Sequence, residues 1–153
     1  TLIEGGSGML DEGDQRLIGD ECKSGGFEWF GNDPGHDALT AYGLMEFTDM
    51  AQVRYVDSAM LRRTSDWLLK QRDGTGGFQR KTRTLHTWLA DPEVAYTYDT
   101  WALLEAGVDA DLSKEVAWVR KAAEETDNTY VMALAANVFS RAGEKEGEEH
   151  MLD

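Results

Sequence analysis

The chain has few of the residues that build covalent or metal-bound frameworks. Cys22 is the one cysteine among 153 residues, which excludes an internal disulfide and a zinc site made of several cysteines. Proline occurs twice, and 41% of the residues are hydrophobic, a composition typical of a packed helical protein rather than a disordered chain. No apolar run approaches the roughly 18 residues that a membrane-spanning helix needs. We therefore expect about one helical domain that does not insert into a membrane.

Cationic residues are also scarce. Lysine and arginine total 15 against 29 aspartates and glutamates, which gives a formal net charge of −14. This balance opposes binding to nucleic acid or to anionic membrane surfaces, since both need clustered cations, and it favours solubility. Thr1–Gly6 shows no signal peptide. Because the chain does not begin with methionine, we interpret it as a piece of a longer protein.

Hydrophobic periodicity predicts six helices and the start of another. Asp57 is the expected N-cap of the third helix, and Asp91-Pro92 has the cap and first-turn proline of a helix start. The fifth helix is expected to begin at a Ser113 or Asp111 cap, and His36 caps or flanks the second. The predicted helices are Met9–Cys22, His36–Ala51, Val56–Arg72, Pro92–Glu105, Leu112–Glu125 and Tyr130–Ala142, and a last one begins in Glu144–Leu152.

An internal repeat connects these helices. Gly25-Gly26-Phe27 recurs 51 residues later as Gly76-Gly77-Phe78, and Trp67 recurs as Trp118 at the same offset of 51. Helices with one polar face alternate with helices that are apolar nearly all round, as in an α/α barrel with an outer and an inner ring. A plain helical bundle is the alternative. About three helix hairpins would form only an arc, so we expect exposed apolar surface at its two flanks and self-association that covers it.

Two stretches carry a resemblance to a known family. Gly25–Phe47 and Val56–Phe78 resemble the thioester-containing domain of the alpha-2-macroglobulin and complement family, most of all its bacterial members. The similarity covers roughly Gln15–Ala142. It implies an all-α α/α toroid of six hairpins, of the terpenoid cyclase and prenyltransferase type. By that measure residues 1–153 are a fragment of one such domain, about half of a toroid, and the remainder of the toroid is an expected partner.

The resemblance also implies a function for the parent protein. Family members trap proteases, or tag target surfaces, through a thioester formed within a Gly-Cys-Gly-Glu-Gln motif. This sequence has no such motif, and Cys22 has no glutamine three residues later, so Cys22 is not the thioester cysteine. We therefore expect a secreted or periplasmic alpha-2-macroglobulin-like parent, an endopeptidase inhibitor, whose thioester lies outside this chain.

His86 is the candidate site residue. It follows Phe78 by eight positions, a spacing similar to that of the histidine that attacks the thioester in complement-type members. A neutral imidazole is a good nucleophile near pH 7, and the acyl-imidazole passes its acyl group on to hydroxyls. The alternative is an ordinary structural or exposed loop residue, with Trp88 packed over the loop.

The sequence lacks the motifs that three enzymatic hypotheses require. Terpene cyclases and prenyltransferases share the barrel, but the acidic motif of consecutive aspartates is missing, and Cys22, His36 and His86 do not have the spacing of a zinc site. No nucleophile elbow of a serine hydrolase is present. We expect no enzyme, no cofactor and no metal. A non-catalytic protein-interaction module remains open, because sequence cannot separate it from the macroglobulin reading.

Overall fold

The computed structural model describes residues 18–28, 34–79 and 91–143, and this part of the chain is all-α. Within these ranges it contains five helices of 12 to 14 residues. The β-structure of the same ranges consists of isolated bridges, Glu21 with Phe27 and Arg72 with Phe78. We label the helices α1 (Asp37–Met50), α2 (Ser58–Leu69), α3 (Pro92–Glu105), α4 (Ser113–Glu125) and α5 (Thr129–Ala142). None of the helices in these ranges is both long and apolar enough to cross a membrane.

Side-chain caps begin three of the helices. The carboxylates of Asp57 and Asp91 each accept a hydrogen bond of 2.9 Å from the backbone N–H two residues later, at the starts of α2 and α3. The Asn128 side chain does the same for α5 at 3.0 Å. These bonds satisfy N–H groups that have no partner within the helix. The predicted caps Asp57 and Asp91 are therefore confirmed.

Some predicted helix ends were wrong. Leu112, not Ser113, is the N-cap of α4, and it makes no side-chain cap bond; Asp111 instead accepts from the Ser113 N–H at 2.9 Å. The helix predicted to reach Cys22 has already ended, because Glu21 pairs with Phe27 in a bridge. Most of that helix, and all of the one predicted to begin in Glu144–Leu152, lie outside the described residues.

The helices form two layers. In the inner layer α3 lies between α1 and α5 and packs extensively on both; in the outer layer α2 packs on α1 and α3, and α4 packs on α3 and α5. The largest core cluster contains side chains of α1, α2, α3 and the second turn, including Leu44, Trp67, Leu68, Phe78 and Leu103. Alternating outer and inner helices are the arrangement expected of an α/α arc.

The inner helices, predicted to be apolar nearly all round, expose part of that apolar surface. Tyr42 on α1 is 56% exposed and Tyr130 on α5 is 52% exposed. The remaining exposed side of α5 carries small or polar residues such as Ala133, Asn137 and Ser140. On the described exposed side of α5, apolar area therefore occurs at single side chains, and self-association through the flanks of the arc stays a prediction.

Candidate functional site

Both Gly-Gly-Phe turns close with the same backbone bonds. In the first, the Cys22 N–H donates to the Gly26 carbonyl at 2.7 Å and the Glu28 N–H to the Asp20 carbonyl at 3.3 Å. In the second, Asp73 donates to Gly77 at 3.0 Å and Gln79 to Gln71 at 2.6 Å. Each donor and each acceptor lies 51 residues from its counterpart. The sequence repeat is thus confirmed as a structural repeat.

The first glycine of each turn packs against the outer helix that follows. Gly25 and Gly76 have positive φ values of 94° and 106°, which favour glycine. A Cβ at Gly25 would lie 2.9 Å from the Arg63 carbonyl oxygen, and one at Gly76 would lie 2.4 Å from that of Lys114. Arg63 and Lys114 are again 51 residues apart. Each turn therefore joins its own hairpin to the next outer helix.

The second glycine of each turn makes room for an aromatic ring. A Cβ at Gly26 would come within 2.6 Å of the Trp67 indole, whereas one at Gly77 would meet the Tyr96 ring at 2.9 Å. Tyr96 in turn lies edge-on to Trp118, with ring centroids 5.0 Å apart, and beside Phe78 at 5.9 Å. The second turn is thereby fixed directly to α3.

Asp73 holds the second turn closed from within. Its carboxylate accepts hydrogen bonds from the Thr75 N–H at 2.7 Å, the Thr75 hydroxyl at 2.8 Å and the Gly77 N–H at 3.2 Å. These bonds, that of the Thr75 N–H first, lower the pKa of Asp73 because they stabilise the ionised form. Cys22 occupies the equivalent place in the first turn as a buried residue, 3% exposed, so the interpretation of Cys22 as a packed residue agrees with the structure.

His86 and Trp88 lie outside the described residues, so the candidate acyl acceptor stays a prediction. The structure describes both ends of the connection that contains them. Gln79 leaves the second turn through its bond to Gln71, and Asp91 enters α3 as its N-cap. The candidate connection is therefore held between the repeat turn and the amino end of an inner helix.

Two polar residues of the inner layer, His36 and Asp99, have buried side-chain atoms without a hydrogen-bond partner, and the sequence analysis missed Asp99. His36 is the N-cap of α1, as predicted by position, but makes no side-chain cap bond. Its Nδ1 lies 3.3 Å from Asp37. Asp99 of α3 is 1% exposed, and neither of its carboxylate oxygens has a hydrogen-bond partner. The sequence signal that could have identified Asp99 is the presence of a charged residue within the otherwise apolar pattern of α3.

The inner helices run in the same direction. Tyr98 of α3 is close enough to Tyr42 of α1 and Tyr130 of α5 to be influenced by them, and all three lie in the first half of their helices; burial first, and then these neighbours, raise the pKa of Tyr98 to about 12. At the carboxyl ends, Arg141 of α5 donates to Glu105 of α3 at 2.7 Å. First halves thus lie near first halves and carboxyl ends near carboxyl ends, as required of a toroid's inner layer.

Metal ligation finds no support in the described geometry. Across residues 18–28, 34–79 and 91–143, no group of three or more histidine, cysteine, aspartate or glutamate side chains is arranged to hold a metal ion. Asp37 and Asp99 are close enough to influence each other, but they do not form such a group.

A comparison with protein families identifies the fold. The family model described as the A-macroglobulin TED domain matches residues 6–153, nearly the whole chain. The match contains both Gly-Gly-Phe turns and all five described helices, and the TED domain is an α/α toroid.

Proposed function

The chain belongs to the A-macroglobulin TED domain family, and from this membership we propose that it is part of a protease-trapping alpha-2-macroglobulin-like protein. Membership over residues 6–153 is the observation that carries the proposal. The trapping chemistry belongs to the parent protein. Its thioester is formed outside this chain, because the 153 residues contain no Gly-Cys-Gly-Glu-Gln motif and Cys22 is a buried residue of a repeat turn.

In this proposal the chain is the scaffold for one half of the reactive site. The repeat turn at Gly76-Gly77-Phe78 is fixed on α4 and α3, and it starts the connection that carries His86. An imidazole there would attack the thioester carbonyl carbon, displace the cysteine thiolate and pass the acyl group to a hydroxyl of the target. Taken alone, the chain turns over no substrate, and the parent is secreted or periplasmic.

The test uses the full-length parent. Methylamine should inactivate it and become covalently incorporated, and a protease should become covalently attached to the untreated protein. His86→Ala should shift the acyl products from esters of hydroxyls toward amides of amines. His36→Ala is the matched control, since His36 makes no side-chain cap bond, and it should leave the ester-to-amide ratio unchanged.

Two results would contradict different parts of the proposal. A parent with no methylamine-reactive acyl group would refute thioester trapping as a whole. An unchanged ester-to-amide ratio in His86→Ala would leave trapping intact and reduce His86 to an ordinary loop residue. Metal-dependent turnover of an isoprenoid by the parent would instead favour the cyclase or prenyltransferase reading.

A second candidate function is a non-catalytic protein-interaction module. The observation that favours it is the missing thioester motif, together with exposed aromatic residues Tyr42 and Tyr130 on the inner helices. The parent sequence separates the two functions. A parent that lacks the Gly-Cys-Gly-Glu-Gln motif, and binds its target without a covalent bond, supports the interaction module.

A further inference from the structure

Asp99 is a buried carboxyl group for which the described structure provides no partner. It lies at the middle of α3, the helix that is packed between α1 and α5, and it is 1% exposed. Both of its oxygens are buried without a hydrogen bond. An ionised carboxylate in such a place is strongly disfavoured, because it loses its hydration and gains nothing in return.

The groups around Asp99 do not compensate its charge. Asp37, in the first turn of α1, is the charged residue that acts on it, and Asp37 itself is next to the buried Nδ1 of His36. On the adjoining Tyr98, the titratable groups that act are Tyr42 and Glu46 of α1 and Tyr130 of α5. In the described ranges, α2 and α4 contribute no charge that shifts Asp99. Among the described residues, the charge that acts on Asp99 is thus that of Asp37 and has the same sign as an ionised Asp99.

We propose that Asp99 is a proton-controlled latch between α1 and α3. As a neutral acid it allows the two helices to close over it. When its proton leaves for solvent, the buried carboxylate and Asp37 repel each other and the contact between the helices weakens. The idea goes beyond the proposed function and stands without it, since it needs no thioester and no described position for His86.

The direction of the pH dependence follows from the environment. Burial first, and then the charge of Asp37, raise the pKa of Asp99 well above its ordinary value. The folded state therefore keeps a proton that the unfolded chain loses at an ordinary carboxyl pKa of about 3.9. The contribution of Asp99 to stability is intact below that pH and declines as pH rises toward the folded-state pKa.

The latch sits where it can influence the candidate connection. Asp91, the N-cap of α3, follows the connection that contains His86, and α1 packs on α3 in the inner layer. Loosening α1 from α3 should therefore weaken one of the contacts that hold α3 in place, whereas the contact of α4 with α5 involves neither helix.

The experiment measures unfolding by denaturant from pH 4 to pH 9 for the wild-type chain, Asp99→Asn, Asp37→Asn and the control Asp66→Asn. Asp66 is an exposed acid on α2. In wild type, loss of one linked proton raises the unfolding equilibrium constant by up to tenfold per pH unit, and Asp99→Asn should remove that part of the slope. Asp66→Asn should keep the pH dependence of wild type. In Asp37→Asn the pH-dependent loss of stability should end at a lower pH, because the charge that raises the pKa of Asp99 is gone.

Two further measurements keep the idea testable even if Asp99→Asn does not fold. The carboxyl carbon of Asp99, followed by NMR in the wild-type chain, should titrate well above the range of an exposed aspartate. Hydrogen exchange by mass spectrometry should show α1 and α3 losing protection as pH rises, after correction for the intrinsic rate and relative to α4. Parallel pH profiles of wild type and Asp99→Asn, or an ordinary titration of Asp99, would overturn the proposal.

Discussion

Gly76 should be far less tolerant of alanine than Gly74, although the two glycines are two residues apart in the same turn. Both have positive φ values, 106° and 85°, so alanine costs each position about 1–2 kcal/mol of backbone strain. A Cβ at Gly74 meets nothing within 4 Å, whereas one at Gly76 would lie 2.4 Å from the Lys114 carbonyl oxygen and 2.8 Å from the Trp118 Cβ. The pair therefore separates backbone strain from docking.

The steric part can be estimated from the atoms involved. The backbone carbonyl of α4 and a Cβ atom cannot rotate away, so the turn itself must shift, and overpacking of this kind costs about 1–3 kcal/mol. Gly76→Ala should thus be about 2 kcal/mol less stable than Gly74→Ala. For a chain of this size that difference corresponds to roughly 6 °C in Tm.

The measurement is thermal and denaturant unfolding of the two variants, followed by circular dichroism. Gly25→Ala provides a rank test in the first turn: its Cβ would lie 2.9 Å from the Arg63 carbonyl oxygen, so its loss of stability should fall between the other two. Equal Tm values for Gly74→Ala and Gly76→Ala would refute the idea that the turn is tightly docked on α4.

Three further predictions concern buried or bonded polar groups. Thr40→Val should lower the free energy of unfolding, measured with denaturant, by about 1–3 kcal/mol, because the buried N–H of Phe27 loses the hydroxyl to which it donates at 2.8 Å. Thr64→Val loses a bond only within α2 and should be nearly neutral. Arg72→Met should cost about 3–5 kcal/mol by leaving Glu115, 2% exposed and 3.7 Å away, without its counter-charge, and Glu115→Gln should restore part of it. Since the pKa of Asp73 is lowered on folding, wild type should lose stability as pH falls from about 4 through the folded-state pKa, and Asp73→Asn should lack this acid-dependent loss.

The repeat turns could be predicted from sequence because local chemistry determines them. A Gly-Gly-Phe sequence supplies a positive φ, a close approach and a buried ring in three consecutive residues, and the tryptophan spacing marks the helix on which the turn docks. The same reasoning located α3, since Asp91-Pro92 combines a cap with a first-turn proline. Short-range signals of this kind can be recognised without any knowledge of the tertiary structure.

The interior of α3 could not be predicted in this way. The alternation of helix types predicted an inner helix that is apolar nearly all round, but Tyr98 and Trp101 are only partly buried, while Asp99 and Thr97 are fully enclosed. The reason is that α3 contacts four other helices, so that burial extends around its circumference and hydrophobicity no longer marks one face. A polar group becomes buried there because of its neighbours, which the sequence of the helix does not reveal.

The repeat also shows where the glycine contact between a turn and the next outer helix is lost. The positions 51 residues after Gly76, Gly77 and Phe78 are Asp127, Asn128 and Thr129, and Asn128 caps α5 directly. The connection from α4 to α5 therefore offers neither the positive φ nor the close glycine approach that fix α2 and α4 to the turns before them. We therefore expect an outer helix packed beyond α5 to lack this glycine contact and to meet a flank that carries Tyr130 among small and polar residues. That interface should be weaker than the two described ones, so we expect the arc to open between α5 and its next neighbour before it opens between its own hairpins.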